Sequence, residues 1–104
     1  MLFNVVSHYS DTIDNGRTLQ DIFNAAEDEM CELQTEILYH EDGMIPGEDG
    51  VVGEAIDVIA CLMDIIHRYD PKITEEELER IMIKKCKKWQ RKAREAAGKQ
   101  EGAE

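Results

Sequence analysis

Two short segments, Glu29-Met30-Cys31-Glu32 and Glu54-Ala55-Ile56-Asp57, each set a pair of carboxylates three residues apart inside an apolar-rich stretch. Residues i and i+3 of an α-helix are neighbours on one face. Two such helices packed side by side can therefore bring four carboxylates to one point. Mutual repulsion makes that arrangement costly unless a cation sits among them. Oxygen-only donors are hard ligands, suited to Mg²⁺, or Mn²⁺ in its place, rather than to zinc or copper. Glu29, Glu32, Glu54 and Asp57 are thus candidate metal-binding and catalytic residues, and their spacing points to a metal-dependent enzyme.

Other chemistries lack their residues. There is no HExxH and no Cys/His cluster, which argues against a zinc hydrolase. None of His8, His40 and His67 stands three residues after a motif carboxylate, as the Glu-x-x-His of a di-iron bundle requires. A GxxxxGK[ST] phosphate loop and a GxSxG elbow are both missing. What remains is carboxylate-held Mg²⁺ acting on a phosphorylated substrate, with lysine and arginine neutralising the phosphates.

The elements that must position these groups read as helices. The chain is expected to be all-α: a small bundle of three main helices plus a possible short N-terminal one, completed by homo-oligomerisation. Val5, Val6, Tyr9 and Ile13 have helical spacing ahead of a turn signal at Asp14-Asn15-Gly16. A second helix starts near Thr18 or Leu19, with an apolar stripe of Leu19, Ile22, Phe23, Ala26, Met30, Leu33 and Ile37. Glu29 falls on the flank of that stripe with Glu36 beside it, while Glu27 and Asp28 point to solvent. This helix is expected to end by about His40, with the loop from Tyr39 to Gly50 folding back along the bundle, since a tight turn would not set Glu54 opposite Glu32. The helix from Val51 or Val52 to about Tyr69 is the most apolar and should be central, its narrow polar strip being Glu54, Asp57, Cys61 and Asp64. Asp70-Pro71 stops it, and Thr74-Glu75-Glu76-Glu77 is a capping box for the last helix. The last helix has a core stripe through Leu78, Ile81, Met82, Cys86, Trp89, Ala93 and Ala96, with Lys84, Lys88 and Arg91 sharing another face. Residues 1–97 form the expected domain, and 98–104 a frayed polar tail.

The formal net charge of −11 argues against nucleic-acid binding. It is unevenly spread. Residues 1–70 carry 16 acids against Arg17 and Arg68, whereas Arg80 to Arg94 holds eight bases and no acid. That basic run suits either a phosphate-binding face or a solvated one. No stretch approaches the ~20 apolar residues of a membrane span, and the N-terminus lacks the basic region of a signal peptide. Cys31, Cys61 and Cys86 form no CxxC pair and read as reduced, core-type residues of a cytoplasmic protein. Phe23, Tyr39, His40 and Trp89 could stack on a base, though Phe23 and Trp89 also stand at core spacing.

The order Asp28-Glu29-Met30-Cys31-Glu32-Leu33, then Glu54-Ala55-Ile56-Asp57-Val58, resembles the EExxEL…ExxD signature of the MazG-like all-α nucleoside triphosphate pyrophosphohydrolases. The resemblance spans roughly Leu19 to Arg91 and includes the order of helices; Asp28 stands where the family has glutamate. It implies cleavage of a nucleoside or deoxynucleoside triphosphate substrate between the α and β phosphates, giving the monophosphate and pyrophosphate. Glu29, Glu32, Glu54 and Asp57 would hold one to three Mg²⁺ ions that bridge phosphate oxygens and lower the pKa of an attacking water. Lys84-x-x-x-Lys88-x-x-Arg91 fits the family's later basic motif, which implies phosphate binding, in the same or a neighbouring subunit's site. The family also implies a homodimer or homotetramer. The alternative reading is a non-catalytic helical adaptor that keeps the bundle without the activity.

Overall fold

The computed structural model describes residues 1–13 and 16–102, the last four by their backbone alone. Every regular element among them is a helix: α1 (Leu2–Thr12), α2 (Leu19–Glu41), α3 (Gly50–Tyr69) and α4 (Glu75–Gly102). The all-α expectation holds. The chain divides into two compact units, Met1–Lys72 with the first three helices and a second from Ile73 onward that holds α4. Asp14 and Asn15 of the expected turn lie outside the described residues, as do 103 and 104.

Local chemistry fixes the helix ends. The Thr18 hydroxyl accepts the Asp21 N–H at 3.0 Å while the Asp21 carboxylate accepts the Thr18 N–H at 2.9 Å. This reciprocal cap sets the start of α2. At the other end the Gly43 and Met44 N–H groups close back on the His40 and Tyr39 carbonyls, and Gly43 takes the left-handed φ of 70° that glycine adopts without strain. At α4 the Thr74 hydroxyl accepts the Glu77 N–H at 3.2 Å, the capping-box bond expected there. α4 then runs on past Gly98 to Gly102, where a frayed tail was expected; the lysine, glutamine and glutamate at 99–101 are good helix formers that let it continue.

Within the first unit α3 is central, packing on both α2 and α1. α2 and α3 run antiparallel: Arg17, just ahead of α2, bonds Asp64, and Glu36 near its end bonds Gly47 just before α3. The second of these bonds also folds the loop back, as expected. Buried Glu36 accepts the Gly47 N–H at 2.6 Å, so a residue read as a flank is a loop anchor. α1 is held by Phe3, whose ring meets the His67 ring edge-on at 6.1 Å, and by polar bonds at its C-terminal end. His67 Nε2 lies 2.7 Å from Asp11 Oδ1, and the Arg68 guanidinium donates to the Ser10 and Ile13 carbonyls.

The interior is thin. Phe3, Ile22, Ala26 and Val58 are the buried apolar residues among those described. Several side chains expected in the core are not there. Phe23 is 49% and Trp89 73% exposed, and Ile81 and Met82 of the α4 stripe are exposed too. Cys31 and Cys86 are exposed and Cys61 is half-buried, which corrects the reading of all three as core residues. The physical reason is common to them. Helical spacing says that a residue lies on an apolar stripe, not that a neighbouring helix covers it.

Candidate metal centre

α2 and α3 meet so that Glu29 faces Glu54 and Asp57, one carboxylate oxygen from each lying within 4.8 Å of the others. All three residues are half-buried. One oxygen each of Glu29 and Glu54, Oε2, is sealed from solvent without a hydrogen-bond partner. A buried acceptor without a donor costs the desolvation of that atom. The fourth expected member, Glu32, is exposed and lies outside this trio. It is nonetheless close enough to act on both glutamates through its charge.

Burial pushes the Glu29 carboxyl above the 4.5 of an ordinary glutamate, and the charges of Glu32, Asp57 and Asp28 push it further. Glu54 is raised for the same reasons: burial first, then Glu32, Asp49 and Asp57. These shifts fix a sign. Between the ordinary and the raised value, the folded protein binds more protons than the unfolded chain. Stability contributed by protonating these groups is thus present at low pH and lost as pH rises through the raised values. The metal-free protein should melt higher at pH 5.0 than at pH 7.5, and Mg²⁺ should raise Tm more at pH 7.5. Thermal unfolding with and without EDTA checks this, and both differences should shrink in Glu54→Gln.

Two orphaned oxygens, three converging carboxylates and an all-oxygen donor set fit a hard divalent cation, with Mg²⁺ and Mn²⁺ the suitable ions. Cys61 lies outside the trio. Burial first, then the charges of Glu29, Asp64 and Asp57, raise its thiol pKa against a smaller opposing effect of Arg17. It stays a neutral thiol, since a thiolate would be repelled there.

One turn beyond Cys61 the polar strip changes role. Asp64 is buried, taking the Ser10 hydroxyl at 2.6 Å and Arg17 Nη1 at 2.7 Å, with Arg68 Nε at 3.4 Å. This network ties α1 and the segment before α2 to α3, next to the cluster. Asp64 belongs to the polar strip expected from the sequence, whereas its partners Ser10, Arg17 and Arg68 do not follow from that strip. The signal was there in composition: the two arginines of the acidic first seventy residues are the two that converge on it. Beside the network a groove of about 400 Å³ opens between α1 and α3, apolar along Val5, Tyr9 and Ile59, with Arg17, Cys61 and Asp64 in its lining.

The remaining expected residues lie elsewhere. Lys84, Lys88 and Arg91 share one exposed face of α4 in the second unit, with Arg91 in a loose surface pair with Glu95 at 3.8 Å. Phe23, Tyr39, His40 and Trp89 are exposed and do not line the groove. No described helix is long and apolar enough to cross a membrane. Comparisons with family models, with curated proteins and with solved structures gave no match to this chain.

Proposed function

We propose that this protein is a Mg²⁺-dependent nucleotide pyrophosphohydrolase, cleaving an NTP or dNTP to the monophosphate and pyrophosphate. The observation that carries the reading is the meeting of Glu29, Glu54 and Asp57 from two separate motifs, with two of their oxygens unsatisfied. Carboxylates that converge half-buried repel one another, and a cation among them would relieve that repulsion. The order of the two motifs, similar to that of the MazG-like enzymes, supports the choice of substrate.

Glu29, Glu54 and Asp57, with Glu32 at the rim, would hold the cation, which would supply screening of the phosphate charges and acidification of the attacking water. Water adds to the α-phosphorus as the bond to the bridging oxygen breaks, and pyrophosphate leaves. A carboxylate of the cluster accepts the water's proton as it attacks. These groups titrate as a set, so the proton belongs to the cluster rather than to one named member. The groove lined by Cys61 and Arg17 offers an apolar seat for the base and sugar. Lys84, Lys88 and Arg91 bind phosphate in the assembled protein, a homodimer or homotetramer.

The test is a panel of common and modified NTPs and dNTPs, assayed for pyrophosphate with Mg²⁺ and with EDTA. Metal-dependent release from at least one is expected, and none from any would refute the proposal. The exposed apolar surface favours a second reading, an adaptor without activity. Calorimetry separates the two, because an adaptor gives no Mg²⁺-dependent heat with nucleotide.

A further inference from the structure

Tyr9 is the one aromatic ring among the described residues lining the groove between α1 and α3. We infer that it stacks on the base of a bound nucleotide while Cys61 lies against the sugar, which makes α1 part of the substrate site. This placement rests on the pyrophosphohydrolase reading and adds the residues that meet the organic half of the substrate.

The groove belongs to the first unit alone, since its lining runs from Leu2 to Asp64 in sequence. Leu2, Val5, Val6, Tyr9 and Ile13 of α1 line it, spaced as one face of a helix. Ile59, Ala60 and Met63 of α3 form an aliphatic wall. α1 is pinned beside Tyr9. Ser10, the next residue, donates its hydroxyl to buried Asp64 at 2.6 Å, and the His8 and Tyr9 rings meet at 78° with centroids 5.2 Å apart. A ring held in this way needs little ordering before a base stacks on it.

The groove also continues the carboxylate trio. Cys61, in its lining, stands four residues beyond Asp57 on α3, about 6 Å along the axis. Glu29 and Asp57 are near enough for their charges to act on its thiol. A phosphate ester held at the trio therefore passes Cys61 to set its organic part in the groove. Polarity is graded to match. Arg17, Cys61 and Asp64 gather at the end next to the trio, and apart from Tyr9 and Ser10 the rest of the lining is apolar. The space, about 400 Å³, lies within the range of roughly 300–1,000 Å³ of small-molecule sites. A nucleobase offers two π faces, which a tyrosine ring and an aliphatic wall can both cover. Phe23, Tyr39 and Trp89 do not line this space.

The test uses the full-length protein with Mg²⁺ and non-hydrolysable α,β-methylene analogues of ATP and CTP, read by calorimetry and by the alkylation rate of each cysteine. Analogue at about ten times its Kd should slow alkylation of Cys61 roughly tenfold, because only unbound protein reacts. Exposed Cys31 should react as before. Tyr9→Ala should weaken both analogues about tenfold or more, the loss of one base–ring stack. It should leave inorganic tripolyphosphate, which reaches the trio and has no base, bound as in the wild type. Tyr9→Phe should keep wild-type binding, and Tyr39→Ala should change nothing. Unaltered analogue binding by Tyr9→Ala, an equal loss for tripolyphosphate, or an unprotected Cys61 would each overturn the inference. Should Tyr9→Ala unfold, Tyr9→Leu keeps the apolar bulk without the ring and carries the same expectation. The hydrolase reading falls separately. Pyrophosphate release with an unprotected Cys61 removes the groove assignment alone, and protection without release from any triphosphate removes the chemistry alone. A wild type that binds neither analogue overturns both.

Discussion

Asp57→Asn should lower pyrophosphate release by more than about 100-fold, the upper end of what loss of a residue merely supporting a metal ligand does. The substitution keeps the side chain's size and hydrogen-bonding capacity, so helical content and oligomer should be intact. What it removes is one of the three charges that α2 and α3 bring within 4.8 Å. Glu29→Gln should act alike, with a second signature. In the absence of metal it should melt higher than the wild type, because the burial and then the repulsion that raise the Glu29 carboxyl no longer act on a charge. Added Mg²⁺ should then do little for it. Steady-state kinetics and thermal unfolding on the same samples check both halves. A variant that lost turnover together with its metal-free stability would point to a structural carboxylate.

Asp64→Ala should be the most destabilising single change in the first unit. Its carboxylate is the common partner of Arg17 and Arg68 and accepts the Ser10 hydroxyl. Removing it leaves two partly buried guanidinium groups facing each other. Breaking a buried pair costs ~3 kcal/mol or more, and the partial exposure of both arginines, 25% each, puts this case at about 2–3 kcal/mol once solvent screening is allowed for. In a domain of this size that lowers Tm by roughly 10–15 °C. Urea unfolding should show an earlier midpoint with an unchanged slope. Asp64→Asn should fall between, keeping the Ser10 bond and losing the charge. An unshifted midpoint for Asp64→Ala would mean that Phe3, His67 and the Arg68 bonds to the Ser10 and Ile13 carbonyls suffice to hold α1.

The parts of this fold legible in the sequence are those set by short-range chemistry. Thr74 and Glu77 announce the start of α4, Asp70-Pro71 the end of α3, and the loop's return along α2 to Glu36 follows from the rise of a helix. The pairing of Glu29 with Glu54 and Asp57 was legible for a related reason, since two i, i+3 motifs on adjacent apolar helices have few other ways to face. Long-range burial was not legible. Trp89 and Phe23 stand at core spacing and are exposed, because periodicity marks a stripe and not its cover. Glu36 and Asp64 went the other way, polar residues that are buried. Each is buried because a distant donor, the Gly47 N–H or the Arg17 guanidinium, meets it, and a linear pattern does not name such partners. Glu32 shows the resolution limit of motif reading: a shift of one turn along α2 separates a member of the trio from its rim.

The shared cation is tested most directly by titrating Mn²⁺ into the metal-free protein and following the free ion by electron paramagnetic resonance. Saturable binding is expected in the wild type, displaced by excess Mg²⁺ and weakened more than about 100-fold by Asp57→Asn. Free Mn²⁺ rising in step with each addition from the first, or equal binding by the wild type and Asp57→Asn, would contradict it.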